Sequence, residues 1–306
     1  MRIGPVDGEH VTTRAATGET PGGGTLSIDL NALVENWRRL DAATGEASTG
    51  AVVKADAYGL GMEPVARALH AAGCDTFFVA LPQEGVALRQ ALPEAVIYVF
   101  NGLPPGAAGV FGEHALRPVL NSWDEAREWA AYCRACETRL PAAAHIDTGM
   151  NRLGMSAKEV ERLAAGGEVL DAFRLTLVMS HLACADEPGC EMNQRQMRRF
   201  HELRAGLSGA PASLANSAGC FLGPDFACDV VRPGIALYGG NPFSASSRPN
   251  PMLPVVSLHA PIVQLRAVAA GESVGYGATW VAGRDSRIAT VGVGYADGFP
   301  RAAGGG

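Results

Sequence analysis

The sequence predicts an α/β protein: a (β/α)8 barrel of the TIM type, followed by an incomplete, mainly β domain. Three observations predict it. Short apolar, β-branched runs recur eight times between residues 51 and 237. The stretches between most of them are long enough for a helix. After about residue 250 the pattern changes to period-two alternation with Gly-rich turns.

The eight runs are Ala51–Val53, Thr76–Ala80, Val96–Phe100, Arg117–Leu120, Ala142–Ile146, Leu175–Ser180, Ala212–Asn216 and Asp229–Leu237. Two intervening segments show helical spacing clearly. In EPVARALHAAG, Val65, Ala66, Leu69 and Ala72 share a face; in NQRQMRRFHELRAGL, Met197, Phe200, Leu203 and Leu207 form a stripe. A doubly wound sheet is the main rival, but no GxGxxG follows the first strand. In PVVSLHAPIVQLRAV, Val256, Leu258, Ala260 and Ile262 face one way, and RIATVGVGY is a second strand-like run.

Expected boundaries are a disordered tail over 1–24, a barrel over 25–248 and the start of a β domain over 249–306. The tail contains TGETPGGG and no apolar core, so it does not read as a signal peptide. Fewer than about 60 residues make an uncomfortable free-standing sheet domain, so the expectation is a chain cut off mid-domain and poorly active.

Bulk composition narrows the partners. With 47% hydrophobic and 18% charged residues, the chain reads as an ordinary soluble enzyme. A net charge of −6 argues against a nucleic-acid partner, and no run of 18 apolar residues suggests a membrane span. The seven cysteines are odd in number and scattered, which points to reduced cytosolic thiols. Cys133 and Cys136 have CxxC spacing but lie in the helical pattern SWDEAREWAAYCRACE, and no second CxxC completes a metal site.

A barrel of this class carries its chemistry at the C-terminal ends of its strands. Lys54 ends the first strand, His181 the sixth, and Asn216 and Ser217 the seventh; Arg232 lies within the eighth and Arg152 follows the fifth by a short loop. Each has a bland alternative. Lys54 could snorkel from a strand end, or be desolvated at the barrel mouth, where a lowered pKa would suit a Schiff base. Tyr58 could pack on the next helix or return its hydroxyl to a phosphate. His181 could be a hydrogen-bonded core histidine. Ser217 could cap the next helix, whose amides attract a phosphate. Arg232 differs, because a guanidinium inside VVRPGIALYG needs a specific partner if buried.

Together these residues resemble the pyridoxal-phosphate-dependent alanine racemases. AVVKADAYGLG is similar to the family's cofactor-lysine motif, which implies a Schiff base on Lys54 and a phosphate contact from Tyr58. DTGMNRLG implies that Arg152 meets the cofactor's phenolic oxygen and the substrate carboxylate. SHLACADE places His181 beside the pyridine-binding arginine, NSAG gives Ser217 to the phosphate, and VRPGIALYG gives Arg232 to the pyridine nitrogen and the Gly234 and Ile235 amides to the phosphate. VGYGATW implies that Tyr276 is the second catalytic base, reaching across a homodimer with composite active sites. GYADGFPR implies that Tyr295 and Arg301 line the substrate path with Asp186. The resemblance runs from about Ser27 to Arg301.

What the resemblance implies is a cytoplasmic enzyme that interconverts L- and D-alanine by two bases and supplies D-alanine for peptidoglycan. Two departures stand out. The family often has a carbamylated lysine two residues before the DTGM aspartate, where this chain has His145, and the remainder of the β domain has no counterpart. A decarboxylase of the same class would place an acid at the pyridine nitrogen, and Arg232 counts against it. A serine or broad-specificity racemase remains open, as does a non-catalytic pyridoxal-phosphate carrier.

Overall fold

A computed structural model describes residues 10–13, 23–207, 209–244 and 248–303, and its first elements are β1 (His10–Thr13), β2 (Thr25–Asp29) and α1 (Leu30–Thr44). Next come β3 (Ser48–Thr49), β4 (Ala51–Val52), α2 (Lys54–Gly59), α3 (Met62–Ala71), β5 (Thr76–Val79) and α4 (Pro82–Ala91). Then follow β6 (Val96–Val99), α5 (Ala108–Glu113), β7 (Arg117–Leu120), α6 (Trp123–Ala135), β8 (Pro141–His145) and α7 (Ala157–Ala164). The barrel's last elements are β9 (Arg174–Met179), α8 (Glu191–Arg204), β10 (Ala212–Ser213), α9 (Pro224–Ala227) and β11 (Val230–Val231).

Seven strands form one parallel sheet in the order β4-β5-β6-β7-β8-β9-β10, and β11 pairs in parallel with β3. Backbone bonds close the ring. Asp229 N donates to Ala212 O and Arg232 N to Ala215 O, while Gly50 N donates to Val231 O and Val52 N to Pro233 O. Gly50 separates β3 from β4 for a steric reason: a Cβ there would lie 2.8 Å from the Phe78 ring and 3.0 Å from Thr76 O. Val52, Phe78, Tyr98, Val119, Ala143, Leu177 and Met179 fill the interior. Phe78 stacks on Tyr98 at 5.3 Å and on Phe100 at 5.2 Å.

The eight expected barrel strands are all present, with changes at their ends. Asp229–Leu237 was expected as one strand; only Val230–Val231 is, because Pro233 and Gly234 break the run and Ile235–Tyr238 turns as a 3-10 helix. The helix around the CxxC is α6: Ser122 accepts from Glu125 N, and Ala126, Trp129, Ala130 and Cys133 form its buried stripe. In α8 the buried residues are Asn193, Gln196 and Phe200, whereas the expected stripe members Met197 and Leu203 are only half-buried. Gln196 is inside because its amide is fully used, as described below.

Residues 30–255 form one compact unit, and residues 1–29 with 256–306 form another. The second unit adds β12 (Val256–His259), β13 (Ile262–Val268), β14 (Ser273–Val274), β15 (Trp280–Val281) and β16 (Ser286–Val291). β2 is flanked by β1 and β12, both antiparallel. β13 pairs with β16 and β14 with β15. The division thus falls at 255/256 rather than 248/249, and β2 joins the β unit, since the ladder to β12 supplies its backbone partners. Of the expected tail over 1–24, residues 1–9 and 14–22 lie outside the described residues. His10–Thr13 is a strand paired along β2, which corrects the tail reading for those four residues.

Candidate active site

Nine of the expected site residues line one cavity of about 340 Å³ in the barrel unit: Lys54, Tyr58, Arg152, His181, Asp186, Ser217, Arg232, Gly234 and Ile235. The barrel explains the convergence. Lys54 follows β4, His181 follows β9, Ser217 follows β10 and Arg232 follows β11, so parallel strands deliver all four to the same end. Tyr276, Tyr295 and Arg301 belong to the β unit. Tyr276 is 104% exposed in the turn after β14, and the Arg301 guanidinium lies 5.6 Å from the Tyr295 ring centroid.

Lys54 opens a segment that no sequence signal announced. Ala55, Asp56, Ala57 and Tyr58 have φ of 52, 52, 53 and 57°, a left-handed turn built of L-residues. Each such residue costs about 1–2 kcal/mol relative to the right-handed form. Hydrogen bonds offset the strain: Glu84 Oε1 accepts from Ala55 N at 2.6 Å, Asp56 Oδ1 from Met62 N at 2.7 Å, and Val53 O from Ala57 N at 2.9 Å. Tyr58 then reaches back across the mouth, its ring 4.7 Å from that of Tyr238, whose hydroxyl donates to Val52 O at 2.9 Å. Gly234 leaves room for that hydroxyl, since a Cβ there would push Tyr58 aside.

Arg232 is 3% exposed, and burial lowers its pKa to about 10, which leaves it charged at neutral pH. Its charge acts on His181, which lines the same cavity, while its hydrogen bonds go to the Ser213 hydroxyl and the Ser180 carbonyl. Ser213 in turn donates to Val230 O. The Nε of Arg232 is buried with no partner. Ser180 shares a 2.7 Å hydrogen bond with Thr148, and Gln196 Nε2 donates to Thr148 Oγ1 at 3.1 Å and to His181 O at 2.9 Å. Gln196 Oε1 accepts from Ala183 N at 2.8 Å, so α8 stitches the loop after β8 to the one after β9.

Ser217 does not cap the turn that follows it. Asn216 Oδ1 does, accepting from Gly219 N at 3.0 Å, while Ser217 Oγ accepts from Gly234 N at 2.8 Å and Ala236 N at 3.2 Å. Its own proton is left to donate. Ile235 opens the 3-10 turn Ile235–Tyr238, and first-turn amides have no intrahelical acceptor.

His145 ends β8 and is buried. Its Nδ1 lies 2.7 Å from Asn121 Oδ1, and Asn121 Nδ2 donates to Phe100 O and Val119 O. The asparagine oxygen is therefore the acceptor, and Nδ1 carries the imidazole proton. Burial first, then the positive charge of Arg232, drives the His145 pKa from 6.5 to about 3. Burial and the same arginine also hold His181 down at about 3. The folded chain thus refuses a proton on His145 that the unfolded chain accepts below 6.5. Its contribution to stability is fully present above that pH and is lost progressively as pH falls towards 3. Urea midpoints measured between pH 7 and 4 should fall with acid, and His145→Gln should flatten the slope; parallel slopes would contradict this assignment.

Residues 28–242 match the family described as "Alanine racemase, N-terminal domain", and residues 255–306 match "Alanine racemase, C-terminal domain". The chain belongs to the alanine racemase family. It is 52% identical over 289 residues to an alanine racemase of Methylobacterium sp. (strain 4-46), covering 94% of this chain and 79% of that one. It is 49% identical over 284 residues to a catabolic alanine racemase of Mesorhizobium japonicum, covering 92% and 74%. Among solved structures, alanine racemase from Bartonella henselae with covalently bound pyridoxal phosphate superposes with a TM-score of 0.85 at 38% identity, covering 92% and 78%. Biosynthetic alanine racemase from Pseudomonas aeruginosa superposes at 0.84 with 34% identity, covering 93% and 78%.

Proposed function

We propose that this chain interconverts L- and D-alanine with pyridoxal phosphate as cofactor. The observation that carries the reading is the partnerless, buried Nε–H of Arg232 in the wall of the cavity that also holds Lys54. A buried donor without an acceptor fits a ring nitrogen with an in-plane lone pair. When bound, pyridoxal phosphate supplies the electron sink that makes the amino-acid Cα–H acidic.

The chain's residues divide the remaining work. Lys54 would hold the cofactor covalently and, as a free amine, would move a proton on one face of Cα. Tyr276, from the second copy in a homodimer, serves the opposite face, because one base cannot easily reach both faces of a planar carbanion. Its full exposure supports delivery to another copy. Arg232 keeps its proton at neutral pH, so it donates a hydrogen bond to the ring nitrogen without protonating it. That would weaken the sink and suppress side reactions such as transamination. The Ser217 and Tyr58 hydroxyls and the Gly234 and Ile235 amides take the phosphate, the Gly234 amide by exchanging its Ser217 partner. Neutral His181 stands beside Arg232 without adding charge. Arg152 binds the substrate carboxylate and the cofactor's phenolic oxygen, and Asp186 lines the approach.

The proposed compartment is the cytoplasm, where the seven free thiols would stay reduced. The reaction's product serves peptidoglycan synthesis, testable by rescue of a D-alanine auxotroph. A racemisation assay across amino acids with added pyridoxal phosphate tests the activity itself, with alanine turned over fastest. Faster turnover of serine, or cofactor binding without racemisation, would replace this reading with a broader racemase or a cofactor carrier.

Tyr276→Phe should affect the two directions of exchange unequally. Solvent deuterium should still enter D-alanine through Lys54, while exchange from L-alanine collapses. Equal loss from both enantiomers would remove Tyr276 from this role. Mixing Lys54→Ala chains with Tyr276→Phe chains should restore some activity, because one of the two shared sites would be intact.

A further inference from the structure

The left-handed turn Ala55–Tyr58 directly follows the proposed cofactor lysine, and a strained turn of L-residues keeps its shape only where its surroundings over-determine it. We propose that Glu84 is a positioning residue: its carboxylate clamps this turn and so sets the direction in which Lys54 enters the cavity. The proposal rests on the reading of Lys54 as the cofactor lysine.

Glu84 lies in the first turn of α4, and its two oxygens do different things. Oε2 accepts from Ala80 N at 2.7 Å and Leu81 N at 3.0 Å, which fixes the carboxylate at the end of β5. Oε1 is then held 2.6 Å from Ala55 N. That N–H belongs to the peptide unit joining Lys54 to Ala55. Pinning it restrains ψ of Lys54 and φ of Ala55, the two rotations that decide where the lysine points relative to the turn. The far end of the turn is anchored separately, by Asp56 Oδ1 on Met62 N and Gly61 N on Asp56 O. Remove Glu84, and the entry to the turn loses its side-chain acceptor while the exit stays fixed, so relaxation falls on Lys54. The carboxylate reaches from the loop after β5 to the one after β4, so its position depends on neither loop alone.

The test compares wild type, Glu84→Ala, and Glu84→Ala combined with Ala55→Gly and Ala57→Gly, all loaded with pyridoxal phosphate and kept well below their melting temperatures. Borohydride reduction followed by peptide mass spectrometry reads how much cofactor is attached at residue 54. Glu84→Ala should weaken cofactor binding and lower kcat for alanine by about tenfold each, with KM changed less than about twofold, a loss typical of misplacement. Glycine adopts φ near +50° without the steric penalty, so the glycine pair should recover at least about threefold of each loss. A role confined to capping α4 would gain nothing from glycine at 55 and 57. Unchanged affinity and attachment in Glu84→Ala, or a loss the glycines leave untouched, overturns the clamp. Attachment away from Lys54 in wild type overturns the lysine assignment and the clamp with it.

Discussion

Lys54→Ala is expected to abolish the visible absorbance of the pyridoxal-phosphate-bound protein and to slow racemisation by about 10³-fold. Lys54 and Lys158 are the chain's two lysines. Lys158 is exposed on α7, away from the cavity lining, so no second lysine replaces the first. Phosphate-cradle residues survive in the variant, and free cofactor should still associate weakly and dialyse away. A visible band that survives dialysis, and cofactor that borohydride then fixes to the variant chain, would sink the assignment.

Arg232→Glu should change what the site does as well as how fast. A carboxylate against the ring nitrogen favours its protonated form and strengthens the electron sink. The expected result is racemisation slowed at least about tenfold with a larger share of turnover diverted to transamination. The variant also leaves the Ser180 carbonyl without its donor, so Arg232→Lys, which keeps a positive charge, is the companion. Lysine should slow the reaction without raising transamination. Unchanged partitioning in both would show that Arg232 does not face the cofactor.

The strands of the barrel were legible because a buried parallel strand must be an apolar, β-branched run, and Thr76–Val79 or Val96–Val99 can be little else. The candidate site was legible less from single residues than from the set of motifs: Lys54 ends its run and alone could be a snorkelling lysine, whereas Arg232 lies inside one and has to be explained. What stayed hidden was held by non-local partners. Nothing in Ala55–Tyr58 signals positive φ, because the compensation comes from Glu84, nearly thirty residues on, which by itself reads as an ordinary first-turn acid. Ser180 and Ser213 read as unremarkable strand residues until Arg232 is placed between them. Gln196 reads as a solvated helix position, and its burial follows from loops that the helix pattern does not show. The eighth strand was overextended because Ile235–Leu237 is as apolar as a strand, and only Pro233-Gly234 marks the break.

The place of β2 has a consequence for how the chain is made. Its backbone ladder is completed by β12, so a segment near residue 28 waits for one near residue 256. On a ribosome, β1 can pair along one edge of β2 early, while the opposite edge, with Leu26 and Ile28 in its pairing register, stays open until nearly all of the barrel has emerged. Domains generally fold as they are synthesised, at about 5–20 residues per second, which leaves this edge exposed for about ten seconds or more. During that interval it can pair with the same segment of a neighbouring nascent chain. Shortening the N-terminus through β2 should therefore reduce co-translational aggregation of the barrel, while leaving β12 without a ladder partner once the rest of the chain is complete.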